Sequence, residues 1–275
     1  MCLILFSFDP HSERPLTILA NRDEFYGRNA NQAGFWSDKP EILAGRDLVA
    51  GGTWLGINTS GRFAAVTNFR EPSRFIPDAR SRGELPTDFL SSSESILEYL
   101  SRVQEHSTEY NGFNLLVYDS QEMGYYSNRS GERPRTLETG VYGLSNGLLD
   151  TPWPKVTKGK QALSSAITAG VTEEQLLDIL ADDHVAADAD LPDTGVGIEK
   201  ERMLSALCIV SPEYGTRCST LVRFSSDGGI SLTEKTIVPP DLAHQTISFQ
   251  VSVRDASHWN ADHSDADQKK ADQST

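Results

Sequence analysis

The residue with the clearest chemical potential is Cys2, which directly follows the initiator methionine. Methionine aminopeptidases accept a small penultimate residue such as cysteine, and removal of Met1 would leave a thiol and a free α-amine on Cys2. Model thiols titrate near about 8.5 and α-amines near about 7.7–8.0, so the amine is suited to act as base for its own side chain. The pattern therefore predicts an N-terminal nucleophile. The alternative is a cysteine that only packs in a strand, because free cysteines are among the most buried residues.

A second set of reactive side chains, Asn21-Arg22-Asp23-Glu24, follows the apolar run Leu16–Ala20. An earlier apolar run, Leu3–Phe8, is long enough for one buried strand. Two antiparallel strands would bring the arginine and the carboxylates to a strand end close to Cys2. A cation there would lower the thiol pKa, and a carboxylate would orient the α-ammonium. The alternative interpretation is an ordinary salt bridge at the end of a strand.

Composition limits the class of protein and its partners. The 275 residues carry a formal net charge of -14 at pH 7, which argues against nucleic acid and anionic membrane surfaces as partners. The odd number of cysteines suits a reducing compartment, and no Cys or His spacing predicts a metal site. No stretch approaches the ~18–20 apolar residues of a membrane span, and the N-terminal run lacks the basic flank of a secretory signal. We expect a cytoplasmic protein, and its oligomeric state stays open.

Turn signals between apolar runs predict a protein rich in hairpins. Three such turns are Thr59–Gly61, Asp119–Gln121 and Ser226–Gly229. Further single strands are expected over 141–146, 206–210 and 245–253. Residues 26–50 carry little periodicity and predict a long surface connection.

Helical signals lie in the middle of the chain. Ser91 to Glu94 has capping-box spacing before a helix, and further helices are expected over 158–169 and after Thr172. The acidic segment 182–202 predicts a flexible surface excursion. From 254 to 275 the sequence is almost without apolar residues, which predicts a disordered acidic tail. Hairpins on both sides of central helices indicate one α+β domain over residues 1–253.

Several short motifs follow one another in order from Met1 to about Phe249. They are Met1-Cys2, Ala20-Asn21-Arg22-Asp23-Glu24-Phe25, Gly51-Gly52-Thr53-Trp54-Leu55-Gly56, Thr67-Asn68, Ser81-Arg82-Gly83-Glu84-Leu85, Asn111-Gly112-Phe113-Asn114-Leu115, Tyr142-Gly143-Leu144-Ser145-Asn146 and Tyr214-Gly215-Thr216-Arg217. The ordered set resembles the NRDE family, also called the transport and Golgi organisation family. That family resembles N-terminal-nucleophile hydrolases, which implies a four-layer αββα sandwich with the nucleophile at the start of a central strand. Family members have been linked to haem trafficking, and eukaryotic members also to lipid and acyl-CoA homeostasis and Golgi organisation.

The resemblance also implies roles for individual residues. Cys2 takes the place of the nucleophile, and Arg22 and Asp23 match the arginine and aspartate that thiol-type relatives hold after the second strand. In those relatives two residues usually separate the pair, so Glu24 stays an alternative to Asp23.

Three further polar residues are candidates for the same site. Asn68 and Asn146 each follow an apolar strand, and their side chains would donate to a developing oxyanion. Arg217 would add a second cation at the rim. Without the resemblance, the two asparagines are equally well explained as turn residues, and Arg217 as a surface arginine.

Two functions from different classes follow. The leading hypothesis is hydrolysis or transfer of an acyl group from a small amide or thioester through an acyl-Cys2 intermediate, with no cofactor required. The rival is a carrier that binds haem in the same cleft without turnover, through one Cys, His or Tyr and an apolar groove. Only the resemblance points to haem, because the sequence has no CxxCH motif. A structural or membrane-trafficking role is a third possibility.

The G-x-S-x-G pattern at Gly143–Gly147 lacks the helix that a serine nucleophile requires.

Overall fold

The fold is a stack of four layers. The structure, a computed structural model, describes residues 2–238 and 243–253. Two antiparallel sheets lie face to face, and a pair of helices packs on the outer face of each. The predicted α+β architecture, an αββα sandwich, is confirmed.

The first sheet carries the N-terminal strand in its interior. In spatial order its six strands are β10 (Gly140–Leu144), β1 (Cys2–Phe8), β2 (Leu16–Phe25), β11 (Tyr214–Phe224), β12 (Gly229–Val238) and β13 (Ala243–Ser252). All neighbouring strands pair antiparallel. Helices α3 (Pro154–Ala169) and α4 (Glu173–Ile179) cover its outer face.

The second sheet is a simple meander. Its seven strands follow chain order: β3 (Ala30–Phe35), β4 (Ile42–Asp47), β5 (Leu55–Asn58), β6 (Phe63–Asn68), β7 (Phe113–Tyr118), β8 (Met123–Ser127) and β9 (Arg135–Thr136). Helices α1 (Glu84–Ser91) and α2 (Ile96–Glu105) cover it. The three predicted hairpins are present, and the β5–β6 turn uses Gly61 at φ 88°, a left-handed conformation that favours glycine.

Side chains of β1 alternate between two cores. Ile4 and Phe6 belong to the core between the sheets, whereas Leu3 and Leu5 face α3 and α4. Full burial of side chains of this size contributes roughly 1.5–3 kcal/mol each. Because both faces are anchored in this way, β1 holds Cys2 at a fixed position at the start of the strand.

Two segments that were expected to be irregular contain regular elements. Residues 26–50 form β3 and β4, which the sequence hides because Ala30–Phe35 buries only Ala33 and has no alternating pattern. The segment 182–202 contains a 3-10 turn at Asp188–Asp190 and most of a fifth helix, α5 (Ile198–Leu204). Burial of the charged Glu201 anchors α5, so the acidic composition was misleading.

The predicted bounds of other elements were wrong in detail. The run 206–210 is not a strand, although Thr216 N donates to the Ile209 carbonyl and Ile209 N donates to Thr216 Oγ1. Helix α2 is capped by Ser95 with Glu98, because Ser91 already ends α1. Helix α3 begins at Pro154, where a proline suits the first turn of a helix.

Residues 254–275, for which a disordered tail is predicted, lie outside the described part of the chain. Within the described ranges, no helix combines the length and apolar character that crossing a bilayer requires.

Candidate active site

A cleft of about 400 Å³ opens beside the start of β1 and draws its walls from both sheets. Five of the six predicted site residues line it, namely Cys2, Arg22, Asp23, Asn68 and Arg217. Asn146 is completely buried and does not form part of the wall.

A row of three side chains crosses the floor of the cleft. In the strand register Cys2 lies opposite Arg22, and Arg22 lies opposite Cys218 on its other side. Residues opposite each other on antiparallel strands have Cα atoms about 4.5–5.5 Å apart. Alternation from Ile18 and Ala20 places the Arg22 side chain on the face between the sheets, which is also the face of Cys2. The arginine therefore lies between two thiols.

The Cys2 thiol is shielded from solvent, with only 7% of the residue exposed. Burial raises the pKa of the Cys2 thiol, and the charge of Asp23 raises it further. The Arg22 cation and a hydrogen bond from the Asp23 backbone oppose the rise. Because burial dominates, the thiol stays protonated at neutral pH and requires a base to become a nucleophile.

Asp23 lies on the opposite face of the sheet from Arg22. The strand β2 continues to Phe25, so Asn21 to Glu24 lie within the strand and not beyond its end as predicted. Strand alternation then sends Asp23 toward the helices, where it is 1% exposed and its Oδ1 accepts a hydrogen bond of 2.7 Å from Thr216 Oγ1. Burial raises the pKa of Asp23, whereas nearby Lys155 lowers it.

The two candidate carboxylates have different surroundings. Glu24 lines the cleft and is partly exposed, and its Oε1 accepts a hydrogen bond from the backbone of Phe25 at 2.9 Å. Asp23 belongs to a buried group of charged side chains. Asn21, on the same face as Asp23, is a structural anchor: its amide donates to the carbonyls of Leu180 and Leu207.

Arg217 occupies a bulge in β11. Thr216 lies opposite Asp23 and Cys218 lies opposite Arg22, so Arg217 is the extra residue between them. Bulges commonly redirect a side chain next to a functional site. The Arg217 guanidinium lines the cleft and donates to the carbonyls of Phe25 at 3.1 Å and Arg28 at 2.6 Å.

The two predicted oxyanion donors lie next to each other. Asn68 ends β6 and lines the cleft. Asn146 Nδ2 donates to the carbonyl of Asn68 at 2.8 Å, so this amide supports Asn68 from behind. Neighbouring Ser145 donates to the carbonyl of Cys2 at 3.0 Å. Ser145 is buried and no helix begins until Pro154, so the geometry of a serine nucleophile is not formed there.

Lys155 is a site residue that the sequence did not reveal. It is the second residue of α3, it is 1% exposed, and its Nζ has no hydrogen-bond partner among the described residues. Burial lowers the pKa of Lys155 to about 8, and the charge of Asp23 opposes that shift. A lysine after Trp153-Pro154 carries no signal of burial in the sequence, since burial here depends on how α3 packs on β1.

A buried ion pair adjoins Lys155. Arg70 Nη1 lies 2.7 Å from Glu201 Oε2, with side chains only 5% and 3% exposed. The Arg70 guanidinium also stacks over the ring of Trp153 at 4.7 Å. The pair connects the segment after β6 with α5. The Arg70 charge lowers the pKa of both Asp23 and Lys155, whereas the Glu201 charge raises the pKa of Lys155.

Arg82 is a second site residue that the sequence did not reveal. It lies within one of the sequence motifs, Ser81–Leu85, but was assigned no role there. The Gly51–Gly56 and Ser81–Leu85 motifs contact each other, because Thr53 N donates to the Gly83 carbonyl at 3.0 Å. A Cβ at Gly52 would lie only 2.4 Å from that same oxygen. This close contact places Arg82 in the cleft wall, where its Nη1 donates to the Gly112 carbonyl at 2.9 Å.

The cleft is richer in available positive charge than the net charge of -14 suggests. Arg28 is paired with Asp47 at 2.7 Å, and Arg46 is paired with Asp38. In contrast, three cleft arginines form no ion pair with any other described residue, namely Arg22, Arg82 and Arg217. These guanidinium groups are available to an anionic group of a ligand.

Comparison with known proteins identifies the family. A family model described as Transport and Golgi organisation 2 matches residues 1–239. The chain belongs to this family. The Transport and Golgi organization protein 2 homolog of Bos taurus is 42% identical over 266 residues, covering 88% of this chain and 95% of that protein. The Homo sapiens homolog is 41% identical over 269 residues (89% and 96%), and the Drosophila melanogaster protein is 30% identical over 276 residues (88% and 94%).

Two solved structures are similar to this chain with much lower sequence identity. The Caenorhabditis elegans ortholog of N-acylethanolamine-hydrolyzing acid amidase has a TM-score of 0.48 and 10% identity, with 80% of this chain and 92% of that chain covered. The C2A mutant of a conjugated bile acid hydrolase from Clostridium perfringens has a TM-score of 0.42 and 10% identity, with 92% and 98% covered. The family assignment is based on the sequence relatives. The four-layer architecture is based on the sheets and helices of this chain itself.

Proposed function

We propose that this protein hydrolyses or transfers the acyl group of a small amide or thioester, with Cys2 as N-terminal nucleophile. The observation that carries the proposal is the position of Cys2 at the start of an interior strand, in a cleft and directly opposite Arg22. A thiol shielded by burial gains reactivity from a neighbouring cation and an adjacent base. Removal of Met1 would supply that base as the α-amine of Cys2 itself.

The reaction would proceed in two halves. The Cys2 sulfur attacks the substrate carbonyl, its proton passes to the α-amine, and an S–C bond forms. The bond to the leaving amine or thiol then breaks, and the α-ammonium returns the proton to the leaving group. Water attacks the acyl-Cys2 carbonyl and gives one proton to the α-amine. The S–C bond breaks, the proton returns to sulfur and the carboxylic acid leaves; in acyl transfer, an amine or alcohol takes the place of water.

The surrounding residues have separate tasks in this scheme. Arg22 stabilises the thiolate, and Asp23 holds the α-amine from the helix side of the sheet. Asn68 donates to the oxyanion from the opposite wall, and Asn146 fixes the backbone of Asn68 through its 2.8 Å hydrogen bond. An oxyanion donor of this kind contributes typically about 3–4 kcal/mol to transition-state stabilisation. Arg217 binds the substrate at the rim.

Intact-mass spectrometry with a thiol-reactive probe tests the proposal. We expect the purified protein to lack the mass of Met1 and to label once, rapidly, at Cys2, with the label lost in Cys2→Ala. Cys208→Ser is the matched control, because Cys208 is also buried but lies outside the cleft wall. A panel of small amides and acyl thioesters then identifies the substrate. Full turnover by Cys2→Ala would contradict the proposed mechanism.

A second candidate function is binding of haem without turnover. The three cleft arginines without ion pairs favour it, because guanidinium groups bind carboxylates such as the haem propionates in bidentate geometry. Thiolates are among the side chains that ligate haem iron, and Cys2 and Cys218 both line the cleft. A saturable Soret shift during titration with haemin, lost in Cys2→Ala or Cys218→Ala, would support this candidate. Absence of any shift would remove it.

A further inference from the structure

Lys155 is a buried cation for which the proposed reaction has no task. It lies in the first turn of α3, a helix that packs on β1 and β10, and is 1% exposed. Its Nζ has no hydrogen-bond partner in the described part of the chain, yet it interacts electrostatically with Asp23 and Cys2. A buried ammonium without hydrogen bonds costs several kcal/mol unless an opposite charge compensates for it. Among the described residues, Asp23 is the main opposite charge that acts on Lys155.

The buried charges of this region cancel one another. Two carboxylates, Asp23 and Glu201, lie with two cations, Lys155 and Arg70. The Arg70–Glu201 ion pair accounts for one charge of each sign, which leaves Lys155 with Asp23. If the α-amine of Cys2 were also protonated, the region would hold one uncompensated positive charge. Low solvent exposure makes that state unfavourable.

We propose that Lys155 is a positioning residue that keeps the α-amine of Cys2 uncharged, by supplying the single ammonium that Asp23 balances. The inference depends on the proposed function, because it concerns the base of that reaction. A neutral α-amine accepts the thiol proton of Cys2, whereas an α-ammonium has no lone pair with which to do so. Lys155 itself takes no proton in this scheme. Its role is electrostatic.

Other ionisable groups near the Cys2 amine do not replace Lys155. Arg22 and Arg82 lie toward the cleft, on the side of the sheet that faces away from Asp23. Tyr214 donates to the Asp23 carbonyl at 3.1 Å and stays neutral, because burial raises the pKa of Tyr214. Among the described residues, the ionisable neighbours of this region are Cys2, Arg22, Asp23, Glu24, Tyr26, Arg70, Arg82, Lys155, Glu201, Cys208, Tyr214, Arg217 and Cys218.

The test is the pH dependence of Cys2 alkylation by iodoacetamide, followed on the Cys2 peptide by mass spectrometry in protein that lacks Met1. Lys155→Met has similar length without charge, and we expect the midpoint of the profile to rise by about one pH unit or more, since a nearby charge shifts a pKa by about 1–3 units. Lys155→Arg keeps the charge, and its midpoint should match that of the wild-type protein. A purely structural lysine would lower the alkylation rate or the melting temperature without moving the midpoint.

A second variant keeps the test decisive if Lys155→Met does not fold. Asp23→Asn keeps the acceptor for Thr216 but removes the compensating charge, so the midpoint should fall. Equal midpoints in Lys155→Met and the wild-type protein, or in Asp23→Asn and the wild-type protein, would overturn the role of Lys155 while leaving Cys2 as nucleophile. A wild-type Cys2 that does not alkylate selectively would overturn both proposals.

Discussion

Arg22 lies directly opposite Cys2 in the register of β1 and β2, and both side chains face the cleft between the sheets. The next residue, Asp23, faces the helices on the other side of the same sheet. The two charges of the Arg-Asp pair therefore lie on opposite faces of the sheet, and both act on the Cys2 thiol: Arg22 lowers its pKa and Asp23 raises it. This separation follows directly from the alternation of side chains along a strand.

The first prediction concerns Arg22. Arg22→Met removes the cation that opposes the rise of the Cys2 thiol pKa, so the thiolate fraction at neutral pH should fall. We expect alkylation of Cys2 at pH 7 to slow by about tenfold or more, since a neighbouring charge shifts a pKa by at least about one unit. Arg14→Met, an exposed arginine outside the cleft wall, is the control and should alkylate at the wild-type rate. Equal rates in Arg22→Met and Arg14→Met would contradict this role.

The second prediction concerns the buried ion pair. Glu201→Gln leaves Arg70 without its partner charge in an environment that is 5% exposed. Breaking a buried pair from one side typically costs about 3–5 kcal/mol, which urea unfolding would measure. The control is Arg202→Gln in the same helix, whose ion pairs with Asp188 and Glu199 lie at the surface and should contribute much less. A similar loss of stability in both variants would show that the buried Arg70–Glu201 pair contributes no more than a surface ion pair.

The third prediction concerns the contact that holds Arg82 in the cleft wall. Gly52→Ala adds a Cβ that would lie 2.4 Å from the Gly83 carbonyl oxygen, so the Ser81–Leu85 motif must move. Overpacking of this kind costs typically about 1–3 kcal/mol, so we expect a lower melting temperature. Gly34→Ala is the matched control because no atom lies within 4 Å of its added Cβ. An unchanged melting temperature in Gly52→Ala would refute the steric account.

The fourth prediction concerns Glu234, which is buried beside Cys218. Burial raises the pKa of Glu234 above its ordinary value of 4.5, although a hydrogen bond from Ala33 N at 2.9 Å opposes the rise. The folded state therefore binds the proton more tightly than the unfolded chain, and stability falls as the pH rises from 4.5 through the raised pKa. Glu234→Gln should keep the hydrogen bond and lose this dependence.

The measurement for Glu234 is urea unfolding at a series of pH values. The free energy of unfolding of Glu234→Gln should exceed that of the wild-type protein at pH 8 and approach it near pH 4. A wild-type protein that is the more stable of the two at pH 8 would show that the carboxylate is stabilised in its charged form.

The sequence was sufficient for the residues whose local pattern determines their position. The apolar runs Leu3–Phe8 and Leu16–Ala20 predicted the strand pair that brings Arg22 to Cys2, and the turn glycines predicted the hairpins. The extension of β2 through Asn21 to Phe25 was missed because its polar residues Asn21 and Asp23 are buried by distant partners. Asn21, for example, bonds to carbonyls near residues 180 and 207.

Lys155 and Glu201 could not be predicted for a related reason. Each is a charged residue near the start of a helix, a place that is normally solvated. Their burial depends on contacts with segments far away in the chain, such as Arg70 for Glu201. Local composition therefore indicated surface, whereas tertiary packing placed both residues in one buried group of charges with Asp23 and Arg70.

The most direct test of the central claim is detection of an acyl-Cys2 intermediate. Protein that lacks Met1 is mixed with an activated acyl thioester, quenched in acid within seconds and analysed by peptide mass spectrometry. The proposed function predicts one acyl group on the Cys2 peptide, absent in Cys2→Ala and decaying as free acid or transferred product appears. An acyl group distributed among Cys208 and Cys218, or product formation by Cys2→Ala at the wild-type rate, would contradict the proposed function.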